Sequence, residues 1–273
     1  MMEKYLVKII YMVLVIVFLF LSKKIADAIT RYDDDAQISQ YDNLAIALRR
    51  FGIFVGICIA LQALVNGGSS YRDAGVFAVS SLVVVFIFFV AHFINEFVIV
   101  PKVCNNELVK AGNVPTGLIE AGAFIATGIL VNGAFSGDVG GYLSAAAFFF
   151  LGQIVMIAAI FIHEKIYRFN VTQCVQDHNL SAGVAVAGLL VAYSLILRSS
   201  IAGDFTGWIS SLTAFAISAG TGMIALVIFE RIAAFIFLPG TSIGEAIRKG
   251  NTAAIVLVQA ITIALSMIIS QLI

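Results

Sequence analysis

Of the 273 residues, 61% are hydrophobic and 12% charged, and sixteen Lys and Arg balance sixteen Asp and Glu. A charged share about half that of soluble domains excludes a water-soluble globular enzyme, and high hydrophobicity without net charge excludes disorder. There is no basic excess to serve nucleic acid, and three Cys are too few for a disulfide-stapled secreted fold, which leaves an integral membrane protein.

A helix crosses the hydrocarbon core with about 20 apolar residues. The apolar runs predict eight such helices, at 5–22, 43–65, 75–100, 114–133, 141–163, 179–200, 207–236 and 251–272. The runs are continuous rather than alternating, which excludes a β-barrel. The first run follows Lys4 and Lys8 as a secretory signal would. No small-residue cleavage site closes it, and Lys23-Lys24 stands there instead, so it reads as a retained span. The connector at 23–42 is the most polar stretch, and its Asp33-Asp34-Asp35 is expected to be a solvated acidic loop. Gly52-x-x-x-Gly56 in the second span and Gly188-x-x-x-Ala192 in the sixth put small residues on one helix face, where a neighbouring backbone can come close. Asn43, Asn113, Asn179 and Asn251 each open an even-numbered span. Asn there is a favoured N-cap; the alternative is a ring of amides at the cytoplasmic mouth.

Lys and Arg counts in the short loops set the orientation. Eleven fall on the side of the loops that follow odd-numbered spans and four on the other, with Arg231 inside a span. The richer side is therefore cytoplasmic, and both termini face the periplasmic side. Cys104 and Cys174 then lie in reducing loops and Cys58 in a span, all three read as inert.

The second half repeats the first. Shifted by 136 residues, Gln40 to Leu44 falls on Gln176 to Leu180, Gly52 on Gly188 and Gly67 on Gly203. Shifted by 138, Pro101 falls on Pro239, Glu107 on Glu245 and Gly112-Asn113 on Gly250-Asn251. The chain thus divides into four-span repeats at 1–136 and 137–273. Four spans is an even number, so the two repeats share one orientation and form a parallel pair. The fold expected is an all-α polytopic transmembrane helix bundle.

The segment Glu245-Ala-Ile-Arg-Lys-Gly-Asn251-Thr-Ala-Ala, followed by a span rich in small residues, resembles the bacterial inner-membrane family called domain of unknown function 350. Glu107-Leu-Val-Lys-Ala-Gly-Asn113 keeps the Glu and the Gly-Asn but continues with Val114-Pro115 where the second copy has Thr252-Ala253. The resemblance implies an inner-membrane protein with no settled activity, here a fused pair of four-span units, and an association with envelope-stress functions.

Ionisable groups inside spans cost roughly 2.5–3.5 kcal/mol each on insertion scales, so each calls for a partner or a purpose. His92, Asn95 and Glu96 share one face of the third span at spacings of three and four. Glu120 lies in the fourth span, Glu230 and Arg231 in the seventh, and Gln153 and Gln259 in the fifth and eighth. His92 and Glu230 each precede a proline, Pro101 or Pro239, by nine residues, roughly 13 Å into the membrane at the helical rise. Carboxylates suit protons and hard cations, and His titrates near neutrality. Two readings compete. One is a proton or small-cation transporter or channel with its pathway between the repeats, past His92, Asn95, Glu96, Glu120, Glu230 and Arg231. The other is a non-catalytic scaffold that recruits a cytoplasmic protein through the mixed-charge hairpins at 101–113 and 239–251, which carry Glu107, Lys110, Glu245, Arg248 and Lys249. Enzyme signals are poor. His163-Glu164 lacks the second His of a zinc-protease motif, and neither a Gly-x-Ser-x-Gly elbow nor a phosphate loop occurs. His163, His178, Cys104 and Cys174 lie apart without ligand spacing, so neither metal nor other cofactor is expected. The partners expected are the lipid bilayer, a cytoplasmic protein and, where two chains share one pathway, a homo-oligomer, with no nucleic acid.

Overall fold

Each apolar run forms a helix in the computed structural model, which describes residues 2–30, 32–65, 70–98, 104–137, 139–238 and 240–273, with backbone alone for residues 2–4, 92 and 95–98. Eight helices are long and apolar enough to cross a membrane. They are α1 (Met2–Ile29), α3 (Leu44–Gln62), α4 (Tyr71–Val98), α6 (Val114–Ala134), α7 (Gly141–Tyr167), α9 (Leu180–Ile201), α10 (Trp208–Phe237) and α12 (Thr252–Leu272). The described residues contain no strand. The chain is an all-helical integral membrane protein. The first helix runs seven residues past its expected end, because Lys23, Lys24 and Asp27 continue the helix on its polar side instead of stopping it. Pro101 and Pro239, the expected ends of the third and seventh spans, lie outside the described residues.

Four six-residue helices that the hydropathy pattern does not reveal lie between the spans: α2 (Asp34–Ser39), α5 (Asn105–Lys110), α8 (Val171–Gln176) and α11 (Ile243–Arg248). The short loop after each ends in one left-handed residue directly before an Asn. The left-handed residue is Gly112 (φ 80°) and Gly250 (φ 71°) in two copies, and Asp42 (φ 51°) and His178 (φ 54°) in the others. Asp and His tolerate this region better than most residues, which lets them replace Gly. The turn brings each Asn N–H onto the carbonyl of the fourth residue of its short helix, Gln37, Leu108, Cys174 or Ala246, at 2.8–3.0 Å. The Asn Oδ1 then accepts from the N–H of Ile46, Thr116, Ala182 or Ala254 and caps the following span. The chain therefore repeats at the level of a hairpin, four times, within its two halves: span, short helix, Asn, span.

The second helices of the hairpins form a row. α3 packs on α6, α6 on α9 and α9 on α12. The first helices lie against the row: α4 touches α3 and α6, α7 touches α6 and α9, and α10 touches α9 and α12, while α1 sits beside α3 and α4. Lipid tails are as apolar as the side chains, so helix association rests on close packing and hydrogen bonds. The row supplies both. A Cβ on Gly52 would lie 2.4 Å from Ala121 Cα, one on Gly128 2.1 Å from the Gly56 carbonyl oxygen, and one on Gly122 2.6 Å from Ala187 Cα. Gly188 faces the side chain of Gln259 in the same way. The Asn amides add a bond across each contact. Asn43 Nδ2 donates to the carbonyls of Val109 (3.1 Å) and Lys110 (3.0 Å), Asn113 to Val175 (2.8 Å) and Asn179 to Ile247 (2.8 Å).

Candidate functional site

Among the described residues, the buried ionisable groups fall into two clusters, one in each half. The first is built on Asp34, at the start of α2, which is 2% exposed. Here the structure departs from the solvated loop expected of 33–35. Asp33 caps α2 by accepting from the Ala36 N–H, and Asp34 turns inward between Arg49 and Arg50 on α3. Arg50 Nε donates to Asp34 Oδ2 at 2.9 Å and its terminal nitrogen pairs with Asp27. Arg49 donates to Asn106 Oδ1 (2.8 Å) and the Tyr32 hydroxyl (2.9 Å), and its Nε lies 3.7 Å from Glu120. The two arginines thus lie inside the protein at 2% and 5% exposure. Burial pushes the Tyr32 phenol above its ordinary range, with Arg49 opposing the shift. Asp35 pairs with Lys23 at the surface and is held below the usual carboxylate range by that bond. Every charge in this cluster has an opposite within reach, and with Asn106 on α5 the contacts lock α1, α2, α3, α5 and α6 together.

The second cluster lies among α7, α9, α10 and α12. Glu230 is 1% exposed and His163 is fully buried. Glu230 Oε2 is 3.0 Å from His163 Nε2 and accepts the Tyr167 hydroxyl at 2.8 Å. The Thr262 hydroxyl is 3.4 Å from its other oxygen. His163 Nδ1 is 2.8 Å from the hydroxyl of Tyr193, itself 2% exposed. His163 and Tyr167 stand one turn apart on α7 and so meet the same partner. The chain of bonds is complete in two states one proton apart. With neutral imidazole, Nε2–H donates to the carboxylate and Nδ1 accepts from Tyr193, leaving one buried negative charge. With imidazolium, Nδ1–H donates to the Tyr193 oxygen and the cluster is neutral.

Two openings reach this half from opposite ends. A groove of about 530 Å³ at the end that carries α8 and α11 is lined by Tyr167, Arg231, Phe235, Leu238 and Ser242. Tyr167 therefore joins the groove to Glu230. A cavity of about 250 Å³ at the far end is lined by Tyr142, Ser144, Ser200, Asp204, Thr206 and Ser211.

Measured against the residues singled out in the sequence, Glu120 and Glu230 lie in separate clusters, and Arg231 is exposed on the groove. The side chains of His92, Asn95 and Glu96 lie outside the described residues. Gln153 donates to the Thr127 hydroxyl at 3.0 Å, and among the described residues the Gln259 amide has no hydrogen-bond partner. Asn43, Asn113, Asn179 and Asn251 are N-caps, and Gly52, Gly56, Gly188 and Ala192 are buried in the row. His163, Tyr167 and Tyr193 were not singled out as site residues. The signal for the first two was present in the i, i+4 spacing of His163 and Tyr167 at the end of an apolar run; Tyr193 gives none. Among the described residues no three His, Cys, Asp or Glu side chains converge as a metal site would require.

The family model described as Domain of Unknown Function (DUF350) matches residues 1–135 and again 138–273. A "UPF0719 transmembrane protein" of Aquifex aeolicus is 21% identical over 230 residues, covering 81% of this chain and 83% of that protein. The "UPF0719 inner membrane protein YjfL" of Escherichia coli K12 is 31% identical over 117 residues, covering 41% of this chain and 79% of that protein, which is therefore little longer than one repeat. No solved structure matches.

Proposed function

The chain belongs to the Domain of Unknown Function (DUF350) family, and from that premise we propose that it moves protons across a bacterial inner membrane, with the His163–Glu230 pair as the proton-binding site. The observation that carries the reading is the buried carboxylate bonded to both an imidazole and a tyrosine, with that tyrosine lining an open groove. The Lys- and Arg-rich loops face the cytoplasm, so the groove opens to the cytoplasm and the 250 Å³ cavity to the periplasm. The path runs within the second repeat. The line between repeats is a tight contact, with Gly122 against Ala187 and Gly183 against Pro115. Inner-membrane placement is carried over from the printed name of the Escherichia coli relative.

The test is proton flux into liposomes holding the purified protein, under imposed pH gradients with the membrane potential clamped. Wild type is expected to acidify or alkalinise the lumen, and Glu230→Gln and His163→Ala to lose at least tenfold of the rate while keeping the wild-type elution profile. Wild-type protein that passes no protons under a gradient of either sign sinks the proposal. A second reading, a docking platform for a cytoplasmic protein, rests on the placement of α2, α5, α8 and α11 at one end of the bundle with Glu107, Lys110 and Lys249 exposed. Crosslinking in cells from Glu107 and Lys249 that captures no protein weighs against it.

A further inference from the structure

We propose that the chain assembles head to tail with further copies of itself, the α11–α12 end of one chain receiving the α2–α3 end of the next in a fourth copy of the junction that already joins its own hairpins. Three observations carry this, and none depends on proton movement.

The first is the Asn bond. At each internal junction the Asn amide of one hairpin donates to the carbonyl of the fifth residue in the next short helix, Val109, Val175 or Ile247. Asn251 repeats the turn and the cap, yet is exposed, and among the described residues its Nδ2 has no acceptor. At the other end of the row stands the fifth residue of α2, Ile38. Its three counterparts are 0–1% exposed, whereas Ile38 is half-buried.

The second is the leading face of each row helix, nine and thirteen residues past its Asn. These positions are Gly52 and Gly56, Gly122 and Ala126, Gly188 and Ala192, all buried against the next helix. On α12 they are Ala260 and Ala264, equally small and both uncovered. The third is the receiving face, fifteen residues past the Asn. Gly128, Ser194 and Ser266 are buried there, and the α3 counterpart Cys58 is small and exposed. One position departs from the pattern. Eight residues past the Asn, α6 and α9 carry Ala121 and Ala187, α12 carries Gln259 and α3 carries Phe51. The α9–α12 contact already accommodates Gln259 against Gly188, and Phe51 seated over Ala260 spaces the fourth junction wider again. Exposed apolar side chains alone mean nothing in a bilayer. A polar amide without its acceptor beside an uncovered small-residue face, each the continuation of a contact made three times, identifies the occupant as a second copy. Such a contact is heterologous, and it closes into a ring or continues as a row.

The test uses native Cys58. Inside the chain its counterpart Gly128 lies against Gly56, so Ala264→Cys in one copy would meet Cys58 of the next. With Cys104 and Cys174 replaced by Ser, full-length Ala264→Cys in native membranes is expected to form an oxidant-dependent dimer band and higher bands, lost when Cys58→Ser is added. Ile224→Cys, at similar depth on the exposed face of α10, is expected to form none. No band with Ala264→Cys overturns the proposal. So does an equal band with Ile224→Cys, which would report random collision, or a dimer that survives Cys58→Ser, which would report a symmetric pair.

Discussion

Asp34 is the single side chain on which the first cluster turns, because both Arg49 and Arg50 reach it from α3 and it is buried. Removing one partner of a buried ion pair costs about 3–5 kcal/mol, since the charge left behind has lost both water and its counterion. Asp34→Ala is therefore expected to lower the thermal midpoint in detergent far more than Asp35→Ala, whose partner Lys23 is at the surface; exposed pairs are worth about 0–1 kcal/mol. Differential scanning fluorimetry of the two variants decides it, and equal shifts would show that Asp34 is not the keystone. A second residue-scale expectation concerns the two loop cysteines. Burial raises the Cys174 thiol above its ordinary range, and the thiolate is the reactive form. Near neutral pH Cys174 should therefore be alkylated by maleimide more slowly than exposed Cys104, with a rate that still climbs at pH values above the ordinary thiol range. Labelling followed by mass spectrometry over a pH series tests this.

At the scale of the helix, the contrast between two glycines isolates what the row requires. A Cβ on Gly128 would strike the Gly56 carbonyl at 2.1 Å, whereas Gly75 on α4 has open space around it. Gly128→Leu should prevent α3 from seating on α6 and leave the protein aggregated on gel filtration, while Gly75→Leu should elute as wild type. The same contrast shows how far the sequence could be read. Seven of the eight spans were legible to within four residues because hydropathy over about 20 residues is a strong signal. The Asn caps were legible because Asn followed by an apolar run has one favoured use. The six-residue helices were not, since a helix that short has less than two turns of periodicity and owes its existence to tertiary packing. The second bond of each Asn was hidden for another reason: it joins residues 62–68 positions apart, and nothing in local spacing points to it. Of the buried ionisable groups, Glu120 and Glu230 were legible as individuals, Asp34, Arg49, Arg50 and His163 were not, and none was legible as a partner. Asp27, His163 and Tyr193 find theirs only through the way the hairpins stack.

The molecule as a whole is a row whose middle contact is chemically the same as its flanking ones. α6 meets α9 through Pro115, Gly122 and Gly133 against Gly183, Ala187 and Arg198, with Asn113 bonded across to Val175. This contact between halves is as close as that of α3 and α6 within one half, so the linker near residue 137 holds nothing together that packing does not. Cutting it removes an effective concentration on the order of mM, which a shared membrane and a dense small-residue interface can offset. Residues 1–136 and 137–273 expressed as two chains are therefore expected to copurify through a tag on either one. Gly122→Leu in the first half should abolish copurification while each half remains in the membrane fraction, because the new side chain would occupy the space of the Ala187 backbone. Halves that purify apart without the substitution would mean that the peptide link, and not the helix contact, sets the arrangement of the repeats. The halves differ in chemistry within this shared frame. The position of His163 in the second repeat is held in the first, at the 136-residue offset, by Asp27, which pairs with Arg50. One half thus neutralises its buried acids with arginine, and the other leaves a carboxylate to imidazole and phenol. Similar scaffolding around unlike clusters places the arginine-neutralised cluster in the first repeat and the His163–Glu230 pair in the second. In the split protein, exchanging the second half for one carrying Glu230→Gln should leave copurification intact.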